Sequence, residues 1–288
     1  MNRANLLIAA GIAVFYVYAL LLLPVLLLPQ SLWWGLTLLP FVWLPVTHWG
    51  LIHEAIHKHF NSDAEANDRG GRFLSVLMGP SFHVLRFGHL MHHKLNRDWQ
   101  SELVPERTAS NTLGYYATLL GGLYVSEIGS AIAMTLLSRR AFVTLAARDG
   151  LMQPDVLQAG VRFFYERGHV AKVRTDTLLA LAIHAGAFML YGAAWPVLLL
   201  ALVTRAAVVS FMDNIYHYGT AADDAGKDLA LPGFAARLLL NSNYHDTHHR
   251  NPDVPWLALP QTHAAQCKAF DGGFLRHGLM QFGGPITV

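Results

Sequence analysis

The chain has 288 residues, of which 53% are hydrophobic and only 14% are charged. This composition is typical of an integral membrane protein, and the formal net charge of +2 is too small to indicate a nucleic-acid partner. A single cysteine, Cys267, excludes an intramolecular disulfide and a metal site built from several thiolates. Any metal must therefore be bound through nitrogen and oxygen.

The first two apolar segments predict a transmembrane hairpin. Residues 6–28 carry no charge and are long enough to cross a bilayer. Because this apolar run exceeds the core of a signal peptide and lacks a small-residue cleavage site, we expect it to be retained. Pro24, Pro29 and Gln30 supply a turn, after which residues 31–52 form the second predicted span.

The second span runs directly into the first histidine cluster, His53 and His57. Residues spaced i and i+4 share one face of a helix, so the two imidazoles are expected to point the same way. His59 lies two residues further on, faces elsewhere and is left outside the cluster. His53-Glu54-x-x-His57 also matches the zinc protease motif, in which two histidines bind zinc and the glutamate is the general base.

A second cluster, the run His89-x-x-His92-His93, follows residues 73–87, which are amphipathic and too short to span. We predict that 73–87 is an interfacial helix and that the polar residues before it, 61–72, form a loop.

The apolar stretch 112–137 is long enough to cross the membrane. A crossing there would place the later histidines on the opposite side from His53 and would export the basic segment 138–176, against the positive-inside rule. We therefore predict that 112–137 lies in the interface or packs on the helix bundle.

Residues 177–194 and 197–217 predict a second hairpin around Trp195-Pro196. Arg205 lies near the middle of its second arm, where a cation normally faces a polar cavity or a partner. A structural ion pair or a snorkelling side chain is the alternative.

The predicted fold is an all-α integral membrane protein, a single domain over residues 1–288. Four transmembrane helices form two hairpins, joined by interfacial helices and a histidine-rich cap. With this topology nearly every Lys and Arg falls on the cytoplasmic side, which is also the side of the histidine clusters. The expected location is the inner membrane of a bacterium or the endoplasmic reticulum of a eukaryote.

The third cluster, His245-x-x-His248-His249, repeats the pattern of the second, and Asn251-Pro252 ends its helix. Positions i, i+3 and i+4 lie on one side of a helix, so each run is expected to direct three imidazoles at a single point. With His217 at the end of the last span, the candidate metal ligands are His53, His57, His89, His92, His93, His217, His245, His248 and His249.

Nine imidazoles exceed what one ion can use, whereas two ions with four or five each can use them all, so we predict a dinuclear site. Imidazole suits zinc, copper, iron and nickel alike. The membrane location favours a redox metal, because cleaving an unactivated C–H bond of an acyl chain needs oxygen chemistry that zinc does not perform.

Several polar side chains are candidates to orient the imidazoles from behind. Asp213 and Asn214 lie four and three residues before His217, on its side of the helix. The other candidates are Glu54, Asp98, Glu102 and Asp246. We interpret the remaining histidines as structural or surface residues: His48, His83, His169, His184, His263 and His277.

The order and spacing of the histidine clusters resemble those of the membrane fatty acid desaturase and hydroxylase superfamily. The resemblance covers essentially the whole chain and includes the Pro252 that follows His248-His249. It implies a non-haem di-iron centre, dioxygen as oxidant, a fatty acyl or related lipid substrate, and an electron donor such as ferredoxin, rubredoxin or cytochrome b5. Asn214-Ile-Tyr-His217-Tyr-Gly219 is also similar to the N-x-x-E-H-Y-G signature of membrane alkane hydroxylases, although it is one residue shorter and lacks the glutamate.

Desaturation is the expected reaction, while hydroxylation, acetylenic bond formation and oxidative decarboxylation remain open. Two other classes compete with this interpretation. An intramembrane zinc protease would use His53, Glu54 and His57 but would leave the other clusters idle. A metal transporter or haem protein would place histidines along the spans, whereas here they gather at the span ends on one side.

Overall fold

A computed structural model of the chain describes residues 3–95, 103–148, 152–220 and 225–287. It is an all-α structure. The helices are α1 (Arg3–Leu27), α2 (Leu32–Val42), α3 (Leu44–Ile56), α4 (Ala64–Met78), α5 (Phe82–Leu95), α6 (Ala109–Ala117), α7 (Leu123–Leu136), α8 (Arg139–Ala146), α9 (Pro154–Val161), α10 (Val170–Tyr191), α11 (Trp195–Ile215), α12 (Gly233–Leu238), α13 (His245–Arg250), α14 (Leu259–Ala265) and α15 (Phe274–Met280).

Short strands and turns complete the described part of the chain. The strands are β1 (Leu103–Val104), β2 (Leu229–Ala230), β3 (Gly272–Gly273) and β4 (Ile286–Thr287), and they form the parallel pairs β1–β4 and β2–β3. Helix α1 is π-helical from Tyr18 onward, and α2 is a 3₁₀ helix. Two further π turns, Thr118–Gly122 and Arg162–Glu166, follow α6 and α9.

Within the described residues, three helical stretches are long and apolar enough to cross a membrane: Arg3–Leu27, Ala109–Leu136 and Val170–Ile215. A fourth candidate by length and composition is obtained if α2 and α3, which meet at an angle of 46°, are counted as one bent span. The bend has a local cause, because Pro40 and Pro45 flank it and neither can donate a backbone hydrogen bond.

The first hairpin is closed by aromatic and polar contacts between α1 and the α2–α3 pair. The rings of Phe15 and Phe41 lie 5.2 Å apart, and Tyr16 meets His48 edge-on at 5.3 Å. The hydroxyls of Tyr18 and Thr37 form a hydrogen bond of 2.5 Å. Such contacts satisfy polar groups inside an apolar layer and fix how the two arms pack.

The second hairpin reverses at Gly192, which has a φ of 50° and lies between α10 and α11. Arg205 on α11 donates to His184 on α10 over 3.4 Å, so the two arms run side by side. The sequence placed these arms at 177–194 and 197–217, and the structure begins and ends them a few residues earlier.

The stretch α6–α7 enters the bundle and turns back. The Tyr115 ring lies 6.3 Å from that of Tyr218, beyond the end of α11, whereas a Cβ at Gly121 would lie 3.4 Å from Ala206 in the middle of α11. Arg174, near the start of α10, then donates to the Met134 carbonyl. Gly121 makes the kink possible with a φ of 131°. This geometry is compatible with the predicted packing of 112–137 on the bundle.

The prediction of one interfacial helix over 73–87 after a loop over 61–72 is wrong. Helix α4 already begins after Asp63, whose carboxylate caps it by accepting the Ala66 N–H at 2.7 Å. It ends at Gly79, which has a φ of 121° and precedes Pro80, so α5 starts afresh at Phe82. In the sequence, Asp63 marks the start of α4 and the Gly79-Pro80 pair marks its end.

Gly121→Ala is expected to destabilise the protein, because a side chain at its positive φ costs about 1 to 2 kcal/mol. Gly129→Ala is the matched control, since a Cβ there meets no atom within 4 Å and alanine favours a helix interior. The unfolding temperatures of both variants in one detergent should separate, with Gly121→Ala lower by several degrees. Equal temperatures would contradict a kink at this position.

Candidate metal centre

Four separate parts of the fold deliver histidines to one place. The last turns of α3 carry His53 and the residue that follows α3 is His57. The second run lies at the end of α5, and the third forms most of α13. His217 follows the end of α11 and is buried.

The nine histidines form two groups whose candidate ligand atoms lie within 4.8 Å of one another. The five-histidine group consists of His53, His57, His89, His93 and His248. The four-histidine group consists of His92, His217, His245 and His249. The structure thus brings every predicted ligand into one of two sites, and His59 belongs to neither of them.

The expectation that each H-x-x-H-H run directs its three imidazoles at a single point is wrong. In the α5 run the i and i+4 histidines, His89 and His93, join the five-histidine group, whereas His92 joins the other. In α13 the division is reciprocal, because His245 and His249 join the four-histidine group and His248 crosses over. Helical geometry explains this: relative to i, position i+4 is rotated by about 40° in one direction and position i+3 by about 60° in the other.

The nitrogen spacing within each group is that of ligands on a common ion. Nε2 of His89 lies 2.9 Å from Nε2 of both His57 and His93. In the other group, Nε2 of His245 and Nε2 of His217 are 2.8 Å apart. Two nitrogens that each lie about 2.1 Å from one ion, at right angles, are separated by about 3.0 Å.

A buried nitrogen without a hydrogen-bond partner also indicates a metal site. Nε2 of His249 is inaccessible to solvent and has no hydrogen-bond partner in the described part of the chain. An unpaired buried nitrogen costs free energy unless a hydrogen-bond donor or a metal ion binds its lone pair. A metal ion would do so, and the donor set, imidazole throughout, fits a first-row transition metal.

The two groups are neighbours. The rings of His93 and His249, one from each group, stack with their centroids 4.1 Å apart. His92 and His93 are adjacent in sequence and belong to different groups, so α5 links the two sites directly. Two ions held here would share one pocket.

Burial keeps these imidazoles in the form that binds metal. It lowers the pKa of His93 to about 3, with the neighbouring His57 and His92 adding to the effect. The pKa values of His92 and His245 are also lowered, mainly by burial. At neutral pH the rings are therefore unprotonated and their nitrogen lone pairs are available.

Packing from behind holds the third run in place. The Tyr216 ring stacks on His245 with centroids 4.7 Å apart, and its hydroxyl bonds to Ser242 over 2.8 Å. On another side of the imidazole, a Cβ at Gly226 would lie 2.8 Å from Cδ2 of His245, so only glycine fits there.

Asp228 anchors α13 and was not identified from the sequence. Its carboxylate is fully buried and accepts hydrogen bonds from the backbone N–H and the hydroxyl of Thr247. Lys268 contacts both Asp228 and Asp246, and Arg250 also pairs with Asp246 at 2.8 Å. A single Asp in a polar loop gave no signal of this role.

The side chains predicted to orient the imidazoles are dispersed. Asp213 lines the same cavity as His92, and its carboxylate acts to raise the pKa of that ring against the larger lowering by burial. Asn214 instead donates to Gln281 over 2.8 Å, and Asp246 contacts cations. Glu54 accepts the Trp256 N–H at 3.2 Å. The remaining candidates, Asp98 and Glu102, lie outside the described residues.

Glu127 on α7 is a second residue that the sequence analysis missed. Its carboxylate lies near Gly88, next to His89, and close enough to Asp213 for the two charges to repel. It also lines a cavity of about 490 Å³ between α5, α7 and α9. The signal was present, because Glu127 is the lone charged residue in the stretch 112–137.

A smaller cavity of about 60 Å³ adjoins both groups of histidines. His53, His89 and His248 of one group and His92 and His245 of the other line it. Its remaining walls are mostly apolar side chains from α3, α11 and the C-terminal segment, among them Trp49, Val209, Met212, Leu240 and Trp256. An apolar chain can therefore approach both sites at once.

Comparison with known proteins assigns this arrangement to a family. A family model described as fatty acid desaturase matches residues 31–275, which include every histidine of both groups. The chain belongs to the fatty acid desaturase family. Comparisons with curated proteins and with solved structures found no match.

Membership of the fatty acid desaturase family implies an oxidoreductase that acts on lipid chains in a membrane. It does not support the zinc protease alternative. His53 and His57 share their site with His89, His93 and His248, and Glu54 bonds to the backbone of Trp256.

If each group holds one ion, removing two ligands from one group should leave the other ion in place. The double variants His57→Ala with His89→Ala, and His245→Ala with His249→Ala, are each expected to retain about half of the bound metal. Metal content per chain, measured by mass spectrometry on purified protein, checks this.

His59→Ala is the matched control for both double variants. It lies two residues after His57 and outside both groups, so its metal content should equal that of the unaltered protein. Loss of all metal from His59→Ala, or full retention by both double variants, would contradict the two-site geometry.

Proposed function

We propose that the chain uses dioxygen to oxidise an unactivated C–H bond in a fatty acyl or related lipid chain, with desaturation as the reaction. The proposal rests on one observation above others: a cavity with apolar walls opens on both histidine groups. Two iron ions, held by the nine histidines, would supply the oxidising power, which no side chain in the chain possesses.

The residues around the cavity would position the chain and exclude water. Trp49, Val209 and Met212 offer apolar contacts on the α3 and α11 sides. Leu240, which follows α12, and Trp256, which follows α13, add further apolar walls, so an acyl segment would be enclosed. Positioning of this kind selects which carbon reacts, because a shift of about 1 Å alters the rate greatly.

The C-terminal segment is fastened by polar contacts that would keep the cavity closed. Trp256 donates its indole N–H to Asn5 on α1 over 2.9 Å and its backbone N–H to Glu54 on α3 over 3.2 Å. Asn241 donates to the Trp256 carbonyl over 2.9 Å. These bonds connect the start of the chain, the first histidine cluster and the cap.

Two partners and a location complete the proposal. A redox protein of the ferredoxin, rubredoxin or cytochrome b5 type would supply electrons, since reducing one dioxygen to two waters takes two electrons beyond the two that desaturation removes from the lipid chain. The histidine groups would face the cytoplasm, as the distribution of Lys and Arg favours. The membrane would be the inner membrane of a bacterium or the endoplasmic reticulum of a eukaryote.

Expression in a host that lacks desaturases should add unsaturated acyl chains to its lipids. Growth under ¹⁸O₂ distinguishes the reactions, because desaturation releases the oxygen as water whereas hydroxylation leaves one labelled oxygen in the lipid. Mass spectrometry of extracted lipids is expected to show products lighter by two hydrogens and free of label. Labelled hydroxylated products would show that the reaction is hydroxylation and not desaturation. Unchanged lipids and hydrocarbons would refute the proposal.

Single substitutions connect that activity to the histidines. His92→Ala, His93→Ala, His248→Ala and His249→Ala should each abolish product formation, because each removes a nitrogen from one of the groups. Membrane insertion should be unaffected, as judged by the yield of protein in the membrane fraction. Full activity in any two of them would be incompatible with the assigned site.

A further inference from the structure

Arg205 is a buried cation far from the metal centre. It lies midway along α11, and its side chain is 3% exposed. Its Nη1 donates to the Tyr16 hydroxyl over 3.1 Å and to the Leu77 carbonyl over 3.4 Å. Its Nη2 donates to Nε2 of His184 over 3.4 Å.

The Tyr124 hydroxyl also accepts a hydrogen bond from the guanidinium, and all of these partners are uncharged. Nδ1 of His184 lies 2.8 Å from the Ala180 carbonyl and donates to it, so Nε2 is the acceptor and the ring is neutral. In the part of the chain that the structure describes, no carboxylate pairs with Arg205, and its Nε–H has no hydrogen-bond partner. A guanidinium cannot discharge by losing its proton, so its charge is balanced only by dipoles and aromatic rings.

Such an arrangement is costly in a lipid bilayer. Intramembrane cations normally pair with an anion or line a polar pathway. The rings of Tyr124 and Phe41 lie 5.6 Å and 6.0 Å from the guanidinium carbon and offset part of the cost. Among the described residues the guanidinium therefore has no counter-charge, and it would attract a negative group.

A cavity of about 280 Å³ lies directly beside this cation. Arg205 and His184 form its polar part, and the other walls are almost entirely apolar side chains of α7, α10 and α11. Val125, Leu181 and Val203 stand at its rim and are about half exposed, so the opening faces the surface that contacts lipid. The cavity therefore combines one cation with space for an apolar chain.

We propose that this cavity binds a single-chain fatty acid, with its carboxylate on Arg205 and its alkyl chain between α7, α10 and α11. One guanidinium matches the single charge of a carboxylate, and its Nε–H, which has no partner among the described residues, is available to donate to it. A phospholipid phosphate is held at the interface by its glycerol and second chain, whereas Arg205 lies at mid-depth. The site is separate from both histidine groups and does not depend on the reaction proposed for them.

A photoreactive palmitate with its diazirine near the carboxylate tests the site in full-length protein in nanodiscs. Irradiation should label residues of α7, α10 and α11 beside Arg205. Unlabelled palmitate should compete for this labelling, whereas methyl palmitate, which lacks the charge, should compete at least about tenfold less well. Competition by phosphatidylglycerol measures the alternative lipid ligand.

Substitutions at Val203 and Arg205, with a control at Leu200, test whether the ligand lies in the cavity. Val203→Trp should obstruct the rim and remove most of the labelling, while Leu200→Trp is the matched control on the same helix. Leu200 is 68% exposed and does not line the cavity, so labelling should persist there. Arg205→Gln should reduce labelling about tenfold or more, and Val203→Trp remains informative if Arg205→Gln fails to fold.

Labelling next to the histidine groups serves as an internal reference, because Val203→Trp should leave it unchanged. The proposal is overturned if methyl palmitate competes as well as palmitate, since the cavity would then be an apolar groove without charge recognition. Stronger competition by phosphatidylglycerol, or equal labelling of Val203→Trp and Leu200→Trp, would overturn it as well.

Discussion

The structure depends on a constraint of charge: nine imidazoles meet in one buried region, and among the described residues neither histidine group includes a carboxylate. Neighbouring Nε2 atoms approach to between 2.8 and 3.1 Å, and a neutral ring offers one donor and one acceptor at most. Hydrogen bonds between the rings therefore cannot satisfy every nitrogen, and Nε2 of His249 has none. Metal ions would resolve this conflict, because each would turn several converging lone pairs into bonds. The reciprocal division of the two H-x-x-H-H runs then follows, since one helix can supply two neighbouring sites.

The remaining architecture keeps those rings together although they come from positions up to almost two hundred residues apart. The two hairpins fix the positions of α3 and α11. The pair α6–α7, which turns back, packs against α11 where Gly121 contacts Ala206. The cap is fixed twice. Asp228 and Lys268 form polar contacts with α13. Trp256, in the segment that follows α13, hydrogen-bonds to Asn5 and Glu54. Polar contacts of this kind are directional, so they set the orientation of the histidines as well as their proximity.

Much of this could be predicted because its signals are local. Apolar length gave the two hairpins, and spacing gave the nine candidate ligands, their number of sites and the exclusion of His59. The failures were of three-dimensional origin. Which helix face each histidine of a run would meet depends on the neighbouring helices, so the division between groups was missed. Asp228, Gly226 and Glu127 act through contacts with distant residues. Two of the missed features had a signal in the sequence: the bounds of α4, through the Asp63 cap and the Gly79-Pro80 pair, and Glu127, as the single charge in an apolar stretch.

The central claim is that the two histidine groups hold two iron ions through nitrogen. X-ray absorption at the iron edge, combined with iron analysis of purified full-length protein, tests it most directly. We expect two irons per chain and nitrogen or oxygen neighbours at about 2.1 Å without a sulfur shell. The outer-shell scattering should be that of separate imidazole rings around each iron. One metal per chain, zinc in place of iron, or the flat four-nitrogen pattern of a haem would contradict the account.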